Sequence, residues 1–247
     1  MNGYGRGFSN LPPVVKNIIL INAIMLLADF TVKRILGIDP TTFLGLYFPK
    51  SEHFMPLQLL THMFMHGDFF HLLFNMYALF IFGQVLEQIW GPKRFLTYYM
   101  ICGLGAAFIH ETVIFIQYER IMSVISADQL EVVLNEGTAL FREGRVFPDS
   151  LMKDLQLLLN TPTVGASGAV FGILLAFGVL FPNTQLMLLF PPIPIRAKYF
   201  VLIYGAIELY LAVAQPGSNI AHAAHLGGML FGYFLLRYWQ KTSNTLY

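Results

Sequence analysis

The side chains of this 247-residue chain best suited to chemistry are one serine, two polar pairs and the glycines around them. Ser167 stands in Gly165-Ala166-Ser167-Gly168, at the head of a run that stays apolar to residue 181. Gly165 and Gly168 keep side chains away from the hydroxyl, so another helix or backbone can approach it. A hydroxyl in that setting is either a tight packing contact or a nucleophile, and a nucleophile needs a base. His222 and His225 offer imidazoles three residues apart on one helix face. Gly228 and Gly232 follow in a G-x-x-x-G spacing that admits a close neighbour. Packing through Gly168, Gly172, Gly228 and Gly232 would bring hydroxyl and imidazole together, and an imidazole can take the serine proton and return it to a leaving group. His71 and Asn75, four apart, offer an imidazole and an amide to a developing oxyanion, beside the Ser167 backbone N–H. Either pair reads equally as hydrogen bonding between helices or at an interface. His62 and His66 are also four apart, but two histidines are an incomplete zinc set, and no metal is expected. Asp68 reads as the N-cap of the helix that follows, and His66 as a hydrogen-bonded brace of the loop before it.

These residues need elements to hold them. Charged residues are 12% of the chain and hydrophobic ones 56%, whereas soluble domains carry about 25% charged residues. Several long apolar runs account for the difference, so the chain reads as an all-α polytopic membrane protein. Six spans are expected, near 18–36, 69–89, 95–116, 164–180, 199–214 and 220–238, forming one membrane domain over residues 1–247. Residues 1–13 read as a flexible tail without a cleavable signal peptide. The loop 37–56 is too apolar to be fully solvated and is expected to lie partly among lipid headgroups. Residues 119–160 are the only polar segment of any size. Their apolar spacing predicts two or three short amphipathic helices inserted between the third and fourth spans, rather than a separate domain. Pro182 and the prolines at 191, 192 and 194 end the fourth span in a stiff turn.

Six spans put both termini on one side. The segments on that side hold Arg6, Lys16, Lys93, Arg94, Arg196, Lys198, Arg237 and Lys241 against one acid, Glu87, while the insertion is mostly acidic. The positive-inside rule then places both termini in the cytoplasm and the starts of the second, fourth and sixth spans at the outer side. Lys33 and Arg34 dissent from that rule. The net charge of +1 offers nucleic acid no basic patch. Cys102 is the one cysteine, which excludes an intrachain disulfide, and it reads as a small buried residue.

With these residues assembled, the chain resembles the rhomboid family of intramembrane serine proteases. The resemblance rests on Gly165-Ala166-Ser167-Gly168, on Ala224-His225-Leu226-Gly227-Gly228 and on His71-Leu72-Leu73-Phe74-Asn75, in this order along a six-span core. It implies that Ser167 is the nucleophile and His225 the base, a dyad with no acid, and that His71, Asn75 and the Ser167 amide hold the oxyanion. It also implies that Phe171 stacks on the catalytic imidazole. The sequence departs from the family pattern in two places: loop 37–56 lacks the Trp-Arg pair common there, and the 119–160 insertion is longer than a usual connection.

The resemblance further implies a membrane-protein substrate with one span, cut near its outer face where the helix unwinds, at a bacterial plasma (inner) membrane. Substrate would approach from the lipid bilayer beside the fifth span, with its Tyr199, Phe200, Tyr204 and Tyr210, and the insertion would contact substrate or a partner. No cofactor is called for. The alternative is an inactive rhomboid relative acting as a binding or quality-control factor, although such relatives lack the serine or histidine that this chain has. A transporter would favour acidic residues or matched broken helices near the midplane; only Glu208 qualifies in the fifth span, and no inverted repeat is visible.

Overall fold

The computed structural model describes residues 11–187, 192–214 and 222–242. Most of the expected N-terminal tail, the proline at 191 and the polar loop at 215–219 lie outside these residues.

The first helix, α1 (Pro13–Leu36), opens on a proline at its first turn and closes on Gly37 in the left-handed region, φ 66°. Proline suits that turn because its missing N–H would have no partner there. The next two free N–H groups, of Val14 and Val15, donate to the two carboxylate oxygens of Glu87 at 2.9 and 2.7 Å. An acid at a helix N-terminus also meets the positive end of the helix dipole.

Loop 37–56 contains the short α2 (Thr41–Leu44). Phe43 is exposed, as a headgroup-level residue would be, but Leu46, Tyr47 and Phe48 are buried in protein. Leu46 pairs with Thr163 as an isolated antiparallel bridge. Next comes α3 (Gln58–Thr61), continued by a 3-10 turn at His62–Phe64. Gln58 is fully buried and ties this region together. Its amide oxygen accepts from the N–H groups of Tyr47 and Met55, and its amide nitrogen donates to the His53 and Phe43 carbonyls.

The second span is continuous from Phe69 to Trp90. It is built of α4 (Phe69–Ala78), a π turn at Leu79–Gly83 and α5 (Gln84–Trp90). Asp68 caps it as expected, its carboxylate accepting from the His71 N–H at 2.9 Å. The third, α6 (Pro92–Met122), runs 31 residues and projects beyond the expected 116. The insertion then forms two helices, α7 (Ala127–Arg142) and α8 (Ser150–Asn160). Ser126 and Gln129 make a reciprocal capping box at α7, and Asp149 caps α8. Ile121, Val133, Phe147 and Leu155 give this hairpin a small core of its own. Buried Gln156 locks it by donating to the Gly137 and Arg145 carbonyls and accepting from the Phe147 N–H.

The fourth span begins later than its apolar run suggests. α9 (Ser167–Leu180) starts at the serine because Gly165 holds φ 130°, a conformation open to glycine and incompatible with a helix. Two short antiparallel strands follow, β1 (Gln185–Met187) and β2 (Pro194–Arg196). They are the one departure from an all-helical fold among the described residues. Then come α10 (Ala197–Ala214) and α11 (His222–Thr242).

Four helices, Pro13–Leu36, Phe69–Trp90, Pro92–Met122 and Ala197–Ala214, are long and apolar enough to cross a membrane. The protein is therefore an integral, predominantly α-helical membrane protein. Helix α9 is apolar but shorter, and α11 carries two histidines, an arginine and a lysine along its length. Their place among six spans is a proposal that rests on packing. Nearly every side chain of α9 is buried, so it forms the centre of the bundle, flanked by α6 and α11. The three backbones meet through small residues. A β-carbon at Gly168 would strike Ala106, one at Gly172 would strike Cys102, and one at Gly228 would strike the Gly168 carbonyl. Cys102 is free and fully buried at this contact. Tyr98 donates from its hydroxyl to the Gly172 carbonyl at 2.9 Å, and Gly232 leaves room for that ring. At the opposite end of the bundle from Ser167, Trp90, Tyr98 and Trp239 pack together, with Arg94 4.2 Å above the Trp239 ring.

Candidate active site

Ser167 is the first residue of α9. Its backbone N–H is therefore one of the helix-terminal donors with no partner inside the helix. No side chain caps this end. A 14-residue helix is about 21 Å long, against a hydrocarbon core of about 30 Å. A helix that reaches one face thus places Ser167 below the other.

Close contact between α9 and α11 at Gly168 and Gly228 brings His225 onto the serine. The Ser167 hydroxyl lies 2.9 Å from His225 Nε2, across 58 positions of sequence. Phe171, one turn along α9, stacks on the imidazole at 4.1 Å with the planes only 6° apart. Tyr204 of α10 stacks on Phe171 in turn, at 5.1 Å and 12°. The ring is thus held by a hydrogen bond at one nitrogen and by aromatic faces on one side.

His71 and Asn75 lie one turn apart on α4, on the same side of the bundle. The His71 ring lies against the Cα of Gly165: a β-carbon there would sit 2.9 Å from its Cε1 and Nε2 and 3.6 Å from Ser167 Oγ. Gly165 is thus required both by its φ and by this approach. Asn75 is buried and donates one amide proton to the His71 carbonyl at 2.9 Å, which leaves its second proton free. Beside Ser167 is a cavity of about 20 Å³, lined by His62, Thr163, Gly165, Ala106 and Ala224 among others, which is room for one water. Thr163 is held there by His110 at 2.8 Å, and His62 donates from Nδ1 to the Gln58 carbonyl.

One expectation needs correction. His66 does not brace its loop by hydrogen bonds, because neither of its ring nitrogens has a partner of good geometry. It packs edge-on against the His71 ring at 5.0 Å instead. Burial, helped by the neighbouring His71, pushes the His66 imidazole down to about 3. The Phe64 backbone and Asp68 lie near enough to oppose that shift in part, but the ring makes no well-formed hydrogen bond to them.

An acid also stands near the site, where the resemblance implies none. Glu208 of α10 is buried beside both histidines of α11. Its Oε2 accepts from His222 Nδ1 at 2.6 Å. The same oxygen lies 3.0 Å from His225 Nδ1, an ion-pair distance at which the angle falls short of a hydrogen bond. The donor atoms of Glu208, His222 and His225 all lie within 4.8 Å of one another, a grouping able to hold a metal. Donors that share a zinc ion at about 2.0–2.1 Å stand about 3.3 Å apart. The 2.6 Å contact is shorter than that and has the geometry of a hydrogen bond. In the sequence Glu208 was visible only as a lone acid in an apolar span.

A serine, an imidazole at 2.9 Å, a free helix-terminal N–H and a nearby imidazole–amide pair form a constellation able to perform acyl transfer. Rhomboid protein 1, mitochondrial, of Saccharomyces cerevisiae is 30% identical over 169 residues, covering 68% of this chain and 38% of the yeast protein. RHOMBOID-like protein 12, mitochondrial, of Arabidopsis thaliana is 30% identical, over 69% of this chain and 42% of its own length. Rhomboid protease AarA of Providencia stuartii is 28% identical, over 69% and 51%. The chain thus spans about two-fifths to one-half of the relatives it matches. A family model, the Rhomboid domain, matches residues 53–241, which include the serine, both histidines of α11 and the His71–Asn75 pair. On that match over most of its length, the chain belongs to the rhomboid family.

Proposed function

We propose that the protein is an intramembrane serine endopeptidase that cuts single-span membrane proteins near the outer face of their helix. The observation that carries this reading is the 2.9 Å contact between Ser167 Oγ and His225 Nε2 at the buried end of a short central helix.

In the proposed reaction His225 Nε2 accepts the Ser167 hydroxyl proton as Oγ bonds to the scissile carbonyl carbon. The carbonyl oxygen becomes an oxyanion, facing the Ser167 N–H, His71 and the free amide proton of Asn75. The tetrahedral carbon then expels the leaving amine, which takes the proton from Nε2. Water, from a position such as the cavity beside Ser167, attacks the acyl ester with His225 again as base. Phe171 keeps the imidazole from rotating while its charge changes. A substrate helix must unwind locally, since a helical peptide bond is shielded by its own hydrogen bonds and side chains.

Ser167 and His225 are the residues proposed as catalytic, with His71, Asn75 and the Ser167 amide for the oxyanion. Gly165, Gly168, Phe171, Gly228 and Gly232 support them. The relatives divide between mitochondria and a bacterium. The charge asymmetry of the segments supports termini on the cytoplasmic side, while the proposal of a bacterial plasma membrane rests on the resemblance alone.

The test is cleavage of a one-span reporter in liposomes, together with labelling by a serine-directed fluorophosphonate. Wild type should cut and label; Ser167→Ala and His225→Ala should do neither while unfolding at the wild-type temperature. A folded wild type that binds reporter but neither cuts nor labels would identify an inactive rhomboid relative instead.

A further inference from the structure

We infer that Glu208 is a positioning residue for His225, making the site a Ser167–His225–Glu208 triad in which His222 anchors the carboxylate. The inference rests on the protease reading above and deepens it.

Glu208 lies on α10, the span with the largest share of exposed surface. Only Ala197, Val201 and Glu208 are buried along that helix, so Glu208 is its single buried polar contact with the bundle. An ionised carboxylate in an apolar span is costly unless paired. Here both pairing partners are imidazoles of α11, at 2.6 and 3.0 Å from one oxygen.

The tautomers follow from the hydrogen bonds. His225 Nε2 must be bare to accept from the Ser167 hydroxyl, so its proton is on Nδ1, the atom 3.0 Å from Glu208. His222 donates from Nδ1 to the same oxygen and keeps it from turning away. When His225 takes the serine proton, both of its nitrogens carry hydrogen and the ring becomes a cation beside a buried anion. Glu208 keeps its charge and accepts no proton; the Nε2 proton alone passes to the leaving amine. The angle at Nδ1 is imperfect in the resting site, and contacts of this kind commonly tighten once substrate is bound.

Neither α4 nor α9 offers a substitute. His71 faces the opposite side of Ser167 at Gly165, and Phe171 covers the ring face rather than its edge. The family pattern from which a two-residue site was expected contains no such acid, so this chain's own geometry carries the assignment.

The experiment uses the full chain in liposomes with the one-span reporter. Glu208→Gln preserves shape and removes charge; it is expected to lower kcat by about 10- to 100-fold with KM within twofold. Fluorophosphonate labelling should slow by the same factor, because it uses the same base. Glu208→Asp keeps the charge on a shorter arm and should fall between wild type and Glu208→Gln. A folded Glu208→Gln with kcat within twofold of wild type would overturn the inference and leave the protease reading intact. If that variant does not fold, a folded Glu208→Asp at wild-type kcat overturns it alone. A wild type that neither cuts nor labels defeats the underlying reading before any Glu208 variant is compared.

Discussion

Replacing Gly228 by alanine tests the packing that joins the two halves of the site. The added β-carbon would land on the Gly168 carbonyl oxygen and 2.7 Å from its carbonyl carbon. Both are backbone atoms, so no side chain can rotate to relieve the overlap. Easing the second pair out to an ordinary 3.4 Å contact already moves α11 away from α9 by about 0.7 Å, and clearing the carbonyl oxygen takes more. Ser167 directly precedes Gly168, and His225 lies one turn before Gly228 on the same helix. The same movement therefore carries Ser167 Oγ and His225 Nε2 from 2.9 Å to about 3.6 Å or beyond, outside hydrogen-bond range. Overpacking of this kind costs about 1–3 kcal/mol of stability, and misplacing a catalytic group by about 1 Å costs on the order of 10²-fold in rate. The assay is kcat for reporter cleavage and the fluorophosphonate labelling rate, beside the thermal unfolding midpoint. Gly67→Ala is the control, because a β-carbon there meets nothing within 4 Å. Gly205→Ala is a second control, as its β-carbon meets the flexible tip of Met229 at 3.3 Å. A Gly228→Ala protein with kcat within threefold of wild type would refute the claim that this contact sets the serine–histidine distance.

Phe171→Leu removes the ring stacked on His225 at 4.1 Å and should lower kcat about tenfold, whereas Phe171→Tyr should keep most of it, as steady-state kinetics would read. Asn75→Ala should lower kcat by about 10²- to 10³-fold with little change in KM, the pattern of a lost oxyanion donor. His66 is neutral when folded, because burial and His71 hold it at about 3, while an unfolded histidine charges near 6.5. A lowered histidine pKa gives stability that is complete above about pH 6.5 and falls with pH below it, by roughly 1.4 kcal/mol per unit. Unfolding midpoints from pH 7 to 5 should show at least that slope, and His66→Gln should make it shallower, while His62, also lowered by burial, keeps part of it. Deleting residues 120–154 should leave fluorophosphonate labelling in place and reduce cleavage of membrane substrates; unchanged cleavage of every substrate tested would remove the proposed role of the insertion.

Helix positions were legible where a single periodic signal dominates. Apolar runs located the four helices long enough to cross a membrane, and the apolar spacing of residues 119–160 announced the α7–α8 hairpin. Glycine spacing was informative for a related reason: Gly168, Gly172, Gly228 and Gly232 mark where backbones touch, and those contacts align Ser167 with His225. Boundaries were less legible. The apolar run suggests a helix from 164, yet Gly165 at φ 130° delays it to Ser167, and the delay is what leaves the serine N–H free. Gln58 and Glu208 were harder still. Each acts through partners on other segments, to which no fixed spacing connects it, and Glu208 precedes its two histidines by 14 and 17 positions.

A carboxylate in the span most exposed to lipid is the strongest local conflict in the sequence, and the structure resolves it by proximity. Alone, Glu208 would favour neutralisation or withdrawal to water. Against the Nδ1 atoms of His222 and His225 it stays buried, and in doing so it fixes which nitrogen of His225 faces Ser167. The polar groups that look expensive one at a time are therefore members of one chain of contacts, from Glu208 through His225 to Ser167. Removing the carboxylate should free the His225 ring at its far edge, whereas removing Ser167 leaves the Glu208–imidazole contacts in place. The two losses thus predict different outcomes: Ser167→Ala remains a stable but inert protein, and Glu208→Gln remains active but slow.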